Sequence, residues 1–332
     1  MVLEEFLNEW RSDSPVIRLH TSGSTGAPKE ILVSKERMML SARRTCDFLN
    51  LRPDDRALLC LPLDYIAGKM MAVRSVERHL RLSVVPPSAH PLSAVADNQW
   101  FDLCAMVPLQ VAGSLDVPHE AHRLRQIRHL IIGGGAIDQS LEQRLHDLPN
   151  ALWSSYGMTE TLSHIALRRI NGPHRSDWYT PFDGISLHTD GQQCLVIEAP
   201  GLCSGPLVTN DIAVLRNALV DGRSVTQFRI RGRRDNVVCS GGLKIQIEEV
   251  EDALRAHLQA PFLLSARPDP KLGEALVLLS EDSDLGSIRL ACRRLLPKYH
   301  VPRLFIHVSH IPLTPTGKPA RAEARRIAGQ GS

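Results

Sequence analysis

Short apolar runs alternate with stretches of helical pattern through the first half of the chain. VIRLH (16–20), EILVS (30–34), RALLCLP (56–62), LSVVP (82–86), DLCAMVP (102–108), HLIIGG (129–134) and ALWSSYG (151–157) have the length and composition of strands. SKERMMLSARRTCDFLNL (34–51) reads as a helix with Ser34 as a cap candidate, and a second helix falls near 66–80. Alternation of this kind predicts an α/β fold, a mostly parallel sheet with helices on its faces. From 184 to 231 the pattern changes. Short runs such as CLVIEAP and DIAVLRN, set apart by Gly and Asp, predict an antiparallel β-rich segment. Past Asp235 a small α+β domain is expected, with a helix over IEEVEDALRAHL (247–258) and strands over FLLSARP, EALVLLS and RLFIHVS. The division expected is therefore 1–234 and 235–332.

The chain has 332 residues, enough for roughly two domains with substantial cores. With 43% hydrophobic and 23% charged residues it has the composition of a soluble globular protein. A net charge of +3 is too small to imply nucleic-acid or membrane partners. MVLEEFLNEW lacks the apolar core of a signal sequence, and no run approaches a membrane span. Seven scattered cysteines without a C-x-x-C pair fit a reducing cytoplasm and point to neither zinc nor disulfides. The fourteen histidines show no metal-binding spacing.

The chemistry concentrates in a few loops. TSGSTGAPK (21–29) combines two glycines, four hydroxyl residues and Lys29 between two strands. It offers backbone N–H groups, hydroxyl donors and one cation, the groups that hold polyphosphate. A flexible surface turn is the alternative. The pattern G-x-x-x-x-G-K-[ST] is absent, and TPTGKP (314–319) fails it too, which argues against a P-loop kinase or GTPase. GGGA (133–136) ends a strand and lets a flat ring or phosphate approach the backbone, or is a plain tight turn. Arg229, Arg231, Arg233 and Arg234 make a basic cluster, but without the interleaved aromatics of a nucleic-acid site.

TSGSTGAPK resembles the phosphate loop of the acyl-adenylating enzymes: acyl-CoA synthetases, luciferases and peptide-synthetase adenylation domains. Companion motifs follow in the family's order, six elements from residue 21 to 318. The resemblance implies that Thr21, Ser22, Gly23, Ser24, Thr25, Gly26 and Lys29 grip the β- and γ-phosphates of ATP. Gly134, Gly135 and Ala136 would line the nucleotide. YGMTET (156–161) implies that Tyr156 and Gly157 contact adenine, Thr159 the α-phosphate, and that Glu160 holds Mg²⁺, a sensible partner for a carboxylate beside phosphate. TND (209–211) resembles the family's T-G-D, with Asn210 in place of glycine. It implies that Asp211 accepts from the ribose hydroxyls. In FRIRGRRDNVVCSGGLKIQIEEVE (228–251), Arg233 would bind ribose and phosphate and Asp235 would be a hinge. Ser240, Gly241, Gly242 and Lys244 would line the coenzyme A tunnel. PLTPTGKPAR (312–321) implies that Lys318 is the catalytic lysine.

The implied reaction joins a small-molecule carboxylic acid to AMP, expels pyrophosphate, then transfers the acyl group to coenzyme A as the small domain swings about its hinge. Only 20 residues precede the phosphate loop, where the typical family member carries a long region. This shortness, with LPLDYIAGKMMAVRS (61–75), resembles the compact o-succinylbenzoate–CoA ligases of menaquinone synthesis. An aromatic keto-diacid needs a cation for its second carboxylate. Lys69 and Arg74 are candidates, or lie on a solvated helix face. Tyr65, Ile66 and Gly68 would contact the ring, or pack in the core. Another aryl or acyl acid remains an alternative, as does a nucleotide-binding regulator without catalysis. Asp64 leaves amino-acid activation open. A shortened pocket wall makes a homodimer an expectation.

Overall fold

The computed structural model describes residues 1–20, 30–135, 137, 139–220, 222–314 and 319–330. Thr21 to Lys29, Ala136 and Lys318 therefore lie outside the described residues.

Helix α1 (Leu3–Arg11) is followed by strands β1 (Val16–His20) and β2 (Glu30–Ser34), which pair antiparallel. Helix α2 (Lys35–Phe48) starts where the sequence puts its cap, since Ser34 Oγ accepts from the Arg37 N–H at 3.3 Å. Strand β3 (Arg56–Leu59), helix α3 (Ile66–Arg78) and strand β4 (Arg81–Val84) come next. They are followed by β5 (Phe101–Met106), α4 (Pro108–Asp116), α5 (Pro118–Leu124), β6 (Ile127–Ile132), α6 (Gln139–Leu145), β7 (Ala151–Gly157), β8 (His164–Arg169) and β9 (Thr180–Pro181). A 7-stranded sheet has the order β4-β3-β5-β6-β7-β8-β9. Pairing is parallel from β4 through β7 and antiparallel from β7 to β9. Parallel strands need crossovers, and the helices between them supply these. Leu58, Cys104, Met106, Leu130, Ile132 and Leu152 from the sheet form one core with Val111, Leu124, Leu141 and Leu145 from α4 to α6.

Strands β10 (Ser186–Thr189), β11 (Cys194–Glu198), β12 (Leu207–Val220) and β13 (Arg223–Arg233) form a 4-stranded sheet in that order. β12 and β13, at 14 and 11 residues, run well beyond the short strands expected. Their side chains are mostly half-exposed, so the apolar pattern is faint at the ends.

The remaining elements are β14 (Val237–Ser240), β15 (Leu243–Gln246), α7 (Ile247–Arg255), β16 (Phe262–Asp269), β17 (Gly273–Ser280), α8 (Leu285–Leu295), β18 (Leu304–His307) and α9 (Arg321–Gln330). Their 5-stranded sheet has β17 at its centre, antiparallel to β16 and parallel to β18. Alternate residues of β17 feed two cores. Leu276 and Leu278 pack with Val250 and Leu254 of α7 and Ile288 and Cys292 of α8. Val277 and Leu279 pack with Ala324 and Ala328 of α9.

Contacts divide the chain into two compact units. One comprises Met1–His188, Val196–Leu207 and Leu215–Arg229; the other comprises Thr189–Leu195, Val208–Val214 and Ile230–Ser332. Among the described residues no helix is long and apolar enough to cross a membrane.

Candidate active site

In the first unit, three candidate segments leave the same edge of the parallel sheet. Tyr65 and Ile66 follow β3, Gly134 and Gly135 follow β6, and Tyr156 and Gly157 end β7. Ligands of open α/β sheets bind at this carboxyl edge. β6 and β7 are neighbours in register, with Ile132 opposite Ser154, and Ser155 Oγ donates to Ile132 O at 3.3 Å. Two motifs some twenty residues apart in sequence are thus adjacent in space.

The Tyr156 ring is held by two aromatics that the sequence does not flag. Phe228 meets it edge-on at 4.9 Å, and Tyr179 lies 5.9 Å away; Tyr179 in turn stacks on Phe228 at 5.3 Å. The Tyr179 hydroxyl is fixed 2.7 Å from Ser154 Oγ. Residues 228 and 179 also exchange both backbone hydrogen bonds. Sequence marked Phe228 only as the start of a basic run.

The next turn carries Thr159 and Glu160. Thr161 Oγ1 accepts from Met158 N at 3.0 Å and donates to Ser163 O at 2.8 Å, while Leu162 N donates to Thr159 O at 2.9 Å. Leu162 has φ 66°, a left-handed conformation uncommon for a leucine, at the close of this turn. Thr161 and Leu162 are buried, whereas the Glu160 side chain is exposed. No group of three or more His, Cys, Asp or Glu suited to a metal occurs among the described residues. A single exposed carboxylate fits Mg²⁺ held chiefly by water and substrate phosphates, rather than by a protein cage.

Helix α3 carries the candidate acyl residues. Gly68 approaches Pro62 so closely that a Cβ would sit 2.2 Å from its carbonyl oxygen. Its place is therefore dictated by packing. Tyr65 is 41% exposed. Lys69 and Arg74 are only 1% and 2% exposed, which rules out the solvated helix face. Lys69 Nζ donates to Arg18 O at 2.7 Å, and burial lowers its pKa. Arg74 Nη2 donates to Ser163 Oγ at 2.7 Å, behind the Thr159–Glu160 turn. Its Nε has no hydrogen-bond partner among the described residues, and burial lowers its pKa to about 10. His164, 3.0 Å from Thr45 Oγ1, is held neutral by burial and then by the charge on Arg74.

In the second unit, Asp211 is 13% exposed and accepts from Arg233 Nη1 at 3.2 Å. Arg233 Nη2 donates to Asp235 at 3.1 Å, and Asp235 also accepts from Asn210 Nδ2 at 3.2 Å. Asn210 Oδ1 accepts from Arg234. The asparagine that replaces glycine thus ties the Asp211 and Asp235 segments together. The basic cluster is engaged: Arg231 pairs with Glu249 and Arg234 donates to Gln192, while in the first unit Arg229 lies over Trp178. Ser240 pairs with Leu243 across a two-residue turn in which Gly241 and Gly242 have φ 59° and 81°. A hairpin turn with two positive φ values favours glycine at both positions whatever else it binds. Lys244 is exposed on β15.

A family model described as AMP-binding enzyme matches residues 4–200, more than half of the chain. The chain belongs to the AMP-binding enzyme family. It falls within the AMP-forming acyl-CoA ligase superfamily. A solved acyl-CoA synthetase (AMP-forming)/AMP-acid ligase II-like protein from Dyadobacter fermentans is 33% identical, with TM-score 0.64 over 96% of this chain and 92% of that one. O-succinylbenzoate Coenzyme A Synthetase (MenE) from Bacillus subtilis, in complex with ATP and magnesium ion, has TM-score 0.75 at 21% identity over 92% of this chain and 69% of its own, a likeness of fold. The 2-succinylbenzoate–CoA ligase of Bacillus mycoides is 23% identical over 98% of this chain. Chalcone synthase cfoA of Aspergillus candidus is 25% identical over 95% of it. The chain spans 73% of that ligase's length and 13% of that chalcone synthase's.

Proposed function

We propose that this AMP-binding enzyme activates an aromatic carboxylic acid with ATP and transfers it to coenzyme A, with o-succinylbenzoate as the acid. The observation that carries the nucleotide site is the Tyr156 ring, braced by Phe228 and Tyr179 at the carboxyl edge of the parallel sheet. The succinylbenzoate ligases among its relatives support the choice of acid. Residues 1–234 bind ATP and the acid, and 235–332 form the mobile domain.

A carboxylate oxygen attacks the α-phosphorus, the P–O bond to pyrophosphate breaks, and the thiol of coenzyme A later displaces AMP from the acyl carbon. The barrier is crowded negative charge, so fixed donors and cations must surround the phosphates. The loop from Thr21 to Lys29 grips the terminal phosphates, Thr159 contacts the α-phosphate, and Lys318 bridges it to the attacking carboxylate. Bound at Glu160, Mg²⁺ supplies charge neutralisation at the phosphates. Asp211 and Arg233 hold the ribose. Asp235 serves as the hinge, and the Gly241–Gly242 turn with Ser240 and Lys244 admits coenzyme A.

A second reading is a ligase for a monocarboxylic acid. It is favoured by the engagement of Lys69 and Arg74 within the fold, which leaves no cation on α3 committed to a second carboxylate. Pyrophosphate release with o-succinylbenzoate, benzoate and aliphatic acids separates the two. Turnover of benzoate alone would refute the diacid.

A further inference from the structure

The residues after Lys318 are fastened to the small domain by the packing of Ala324 and Ala328 on β17 and, at the start of α9, by an ion pair to a buried carboxylate. Arg321, three residues on, opens α9. Its Nη1 and Nη2 donate to Glu251 Oε1 and Oε2 at 2.7 and 2.8 Å, and Nη1 donates also to Leu264 O at 2.9 Å. Glu251 Oε1 accepts in addition from Leu264 N at 2.8 Å, and the Glu251 side chain is 2% exposed. One carboxylate on α7 and one guanidinium on α9 thus clamp both peptide groups of Leu264 on β16. Burial opposes the charge on Arg321, but the bonds to Glu251 prevail and raise its pKa. The base of the loop is closed as well: Leu313 pairs with Pro319, and Ala320 N donates to Pro312 O at 2.9 Å.

A bidentate fork fixes direction as well as distance. A lysine that must reach an α-phosphate needs a root fixed in this way, because an error of about 1 Å can cost roughly 100-fold in rate. We propose that Glu251 and Arg321 are positioning residues that set the reach of Lys318 in adenylate formation. This rests on the assignment of Lys318 to that step. The coenzyme A half-reaction, which does not use Lys318, is independent of the pair.

Glu251→Gln and Arg321→Lys test it, since both keep size and most donors or acceptors but lose the charged fork. ATP–pyrophosphate exchange is measured beside thioester formation from preformed acyl-adenylate. The acid is o-succinylbenzoate, or whichever panel acid the wild type turns over. Each variant is expected to lower kcat for exchange roughly 10- to 100-fold. KM for ATP and the thioester rate should stay within about twofold, because the lost interaction acts only in the first transition state. The double variant should lose little more than the worse single one. Exchange at the wild-type rate in both single variants, with Lys318→Ala inactive, overturns the positioning role and leaves the lysine assignment standing. Parallel loss of both half-reactions also overturns it, since the pair would then hold the domain rather than the loop. Exchange that survives Lys318→Ala removes the lysine assignment itself. No exchange with any acid removes the ligase reading, and the positioning role with it.

Discussion

Tyr156 shows how much one side chain depends on others. Its ring is presented by Phe228 and Tyr179, so replacing it tests nucleotide stacking without unmaking the sheet. Base stacking on an aromatic ring is worth about 1–3 kcal/mol. Tyr156→Ala is expected to raise KM for ATP roughly tenfold or more, and Tyr156→Phe to change it little; initial-rate kinetics at saturating acid read this directly. Histidine burial makes a separate prediction about pH. His129 accepts from Trp153 Nε1 at 3.3 Å, and burial, with the charges of Arg128 and Arg169, lowers its pKa to about 4. The unfolded chain takes up a proton near pH 6.5 that the folded chain refuses until about 4. The stability tied to a neutral His129 is therefore present above pH 6.5 and lost as pH falls, by about 1.4 kcal/mol per unit through that window. His164 adds a loss of the same sign. Thermal unfolding from pH 7.5 to 5 should show a falling midpoint, with a shallower slope in His129→Gln. A midpoint indifferent to pH would contradict the burial.

Among the elements, the β14–β15 hairpin separates structural from functional demands on glycine. Gly241 and Gly242 both occupy left-handed conformations, so alanine there costs about 1–2 kcal/mol at each position, whereas asparagine tolerates such φ values better. Gly241→Asn is expected to fold with a normal melting profile. If the turn admits coenzyme A, thioester formation from preformed adenylate should fall about tenfold or more while pyrophosphate exchange persists. Equal rates in both half-reactions would leave the glycines to the turn alone. The elements of the α/β half were legible in the sequence because their apolar runs are short, buried and punctuated by turns. α8 is not among the expected elements, although Asp284 caps it, accepting from Ser287 N at 3.1 Å, a signal the sequence does carry. The brace around Tyr156 was not legible in this way. Phe228 and Tyr179 meet it through strand pairing across more than twenty residues of chain, which no local pattern encodes. The burial of Lys69 and Arg74 ran against the ordinary preference of charged side chains for water. Only the packing of α3 reveals it.

For the molecule as a whole, the proposed function has one motif set serve two half-reactions, and the two must come apart under mutation if the motifs are rightly assigned. Under the proposed function, Thr21 to Lys29 and Lys318 serve adenylate formation, whereas Gly241, Gly242 and Lys244 serve transfer to coenzyme A. The family was legible because each loop carries its motif in a few adjacent residues, and a family model matches residues 4–200. The identity of the acid was not, because the candidate residues Lys69 and Arg74 on α3 are committed to partners within the fold. The most direct measurement is ATP–pyrophosphate exchange in wild type and Lys318→Ala over a panel of acids that includes o-succinylbenzoate, together with thioester formation from the preformed adenylate. Exchange in the wild type that depends on o-succinylbenzoate, is abolished in Lys318→Ala, and leaves thioester formation intact is the expected result. Exchange that persists without Lys318, or that no acid elicits, would contradict the proposed chemistry.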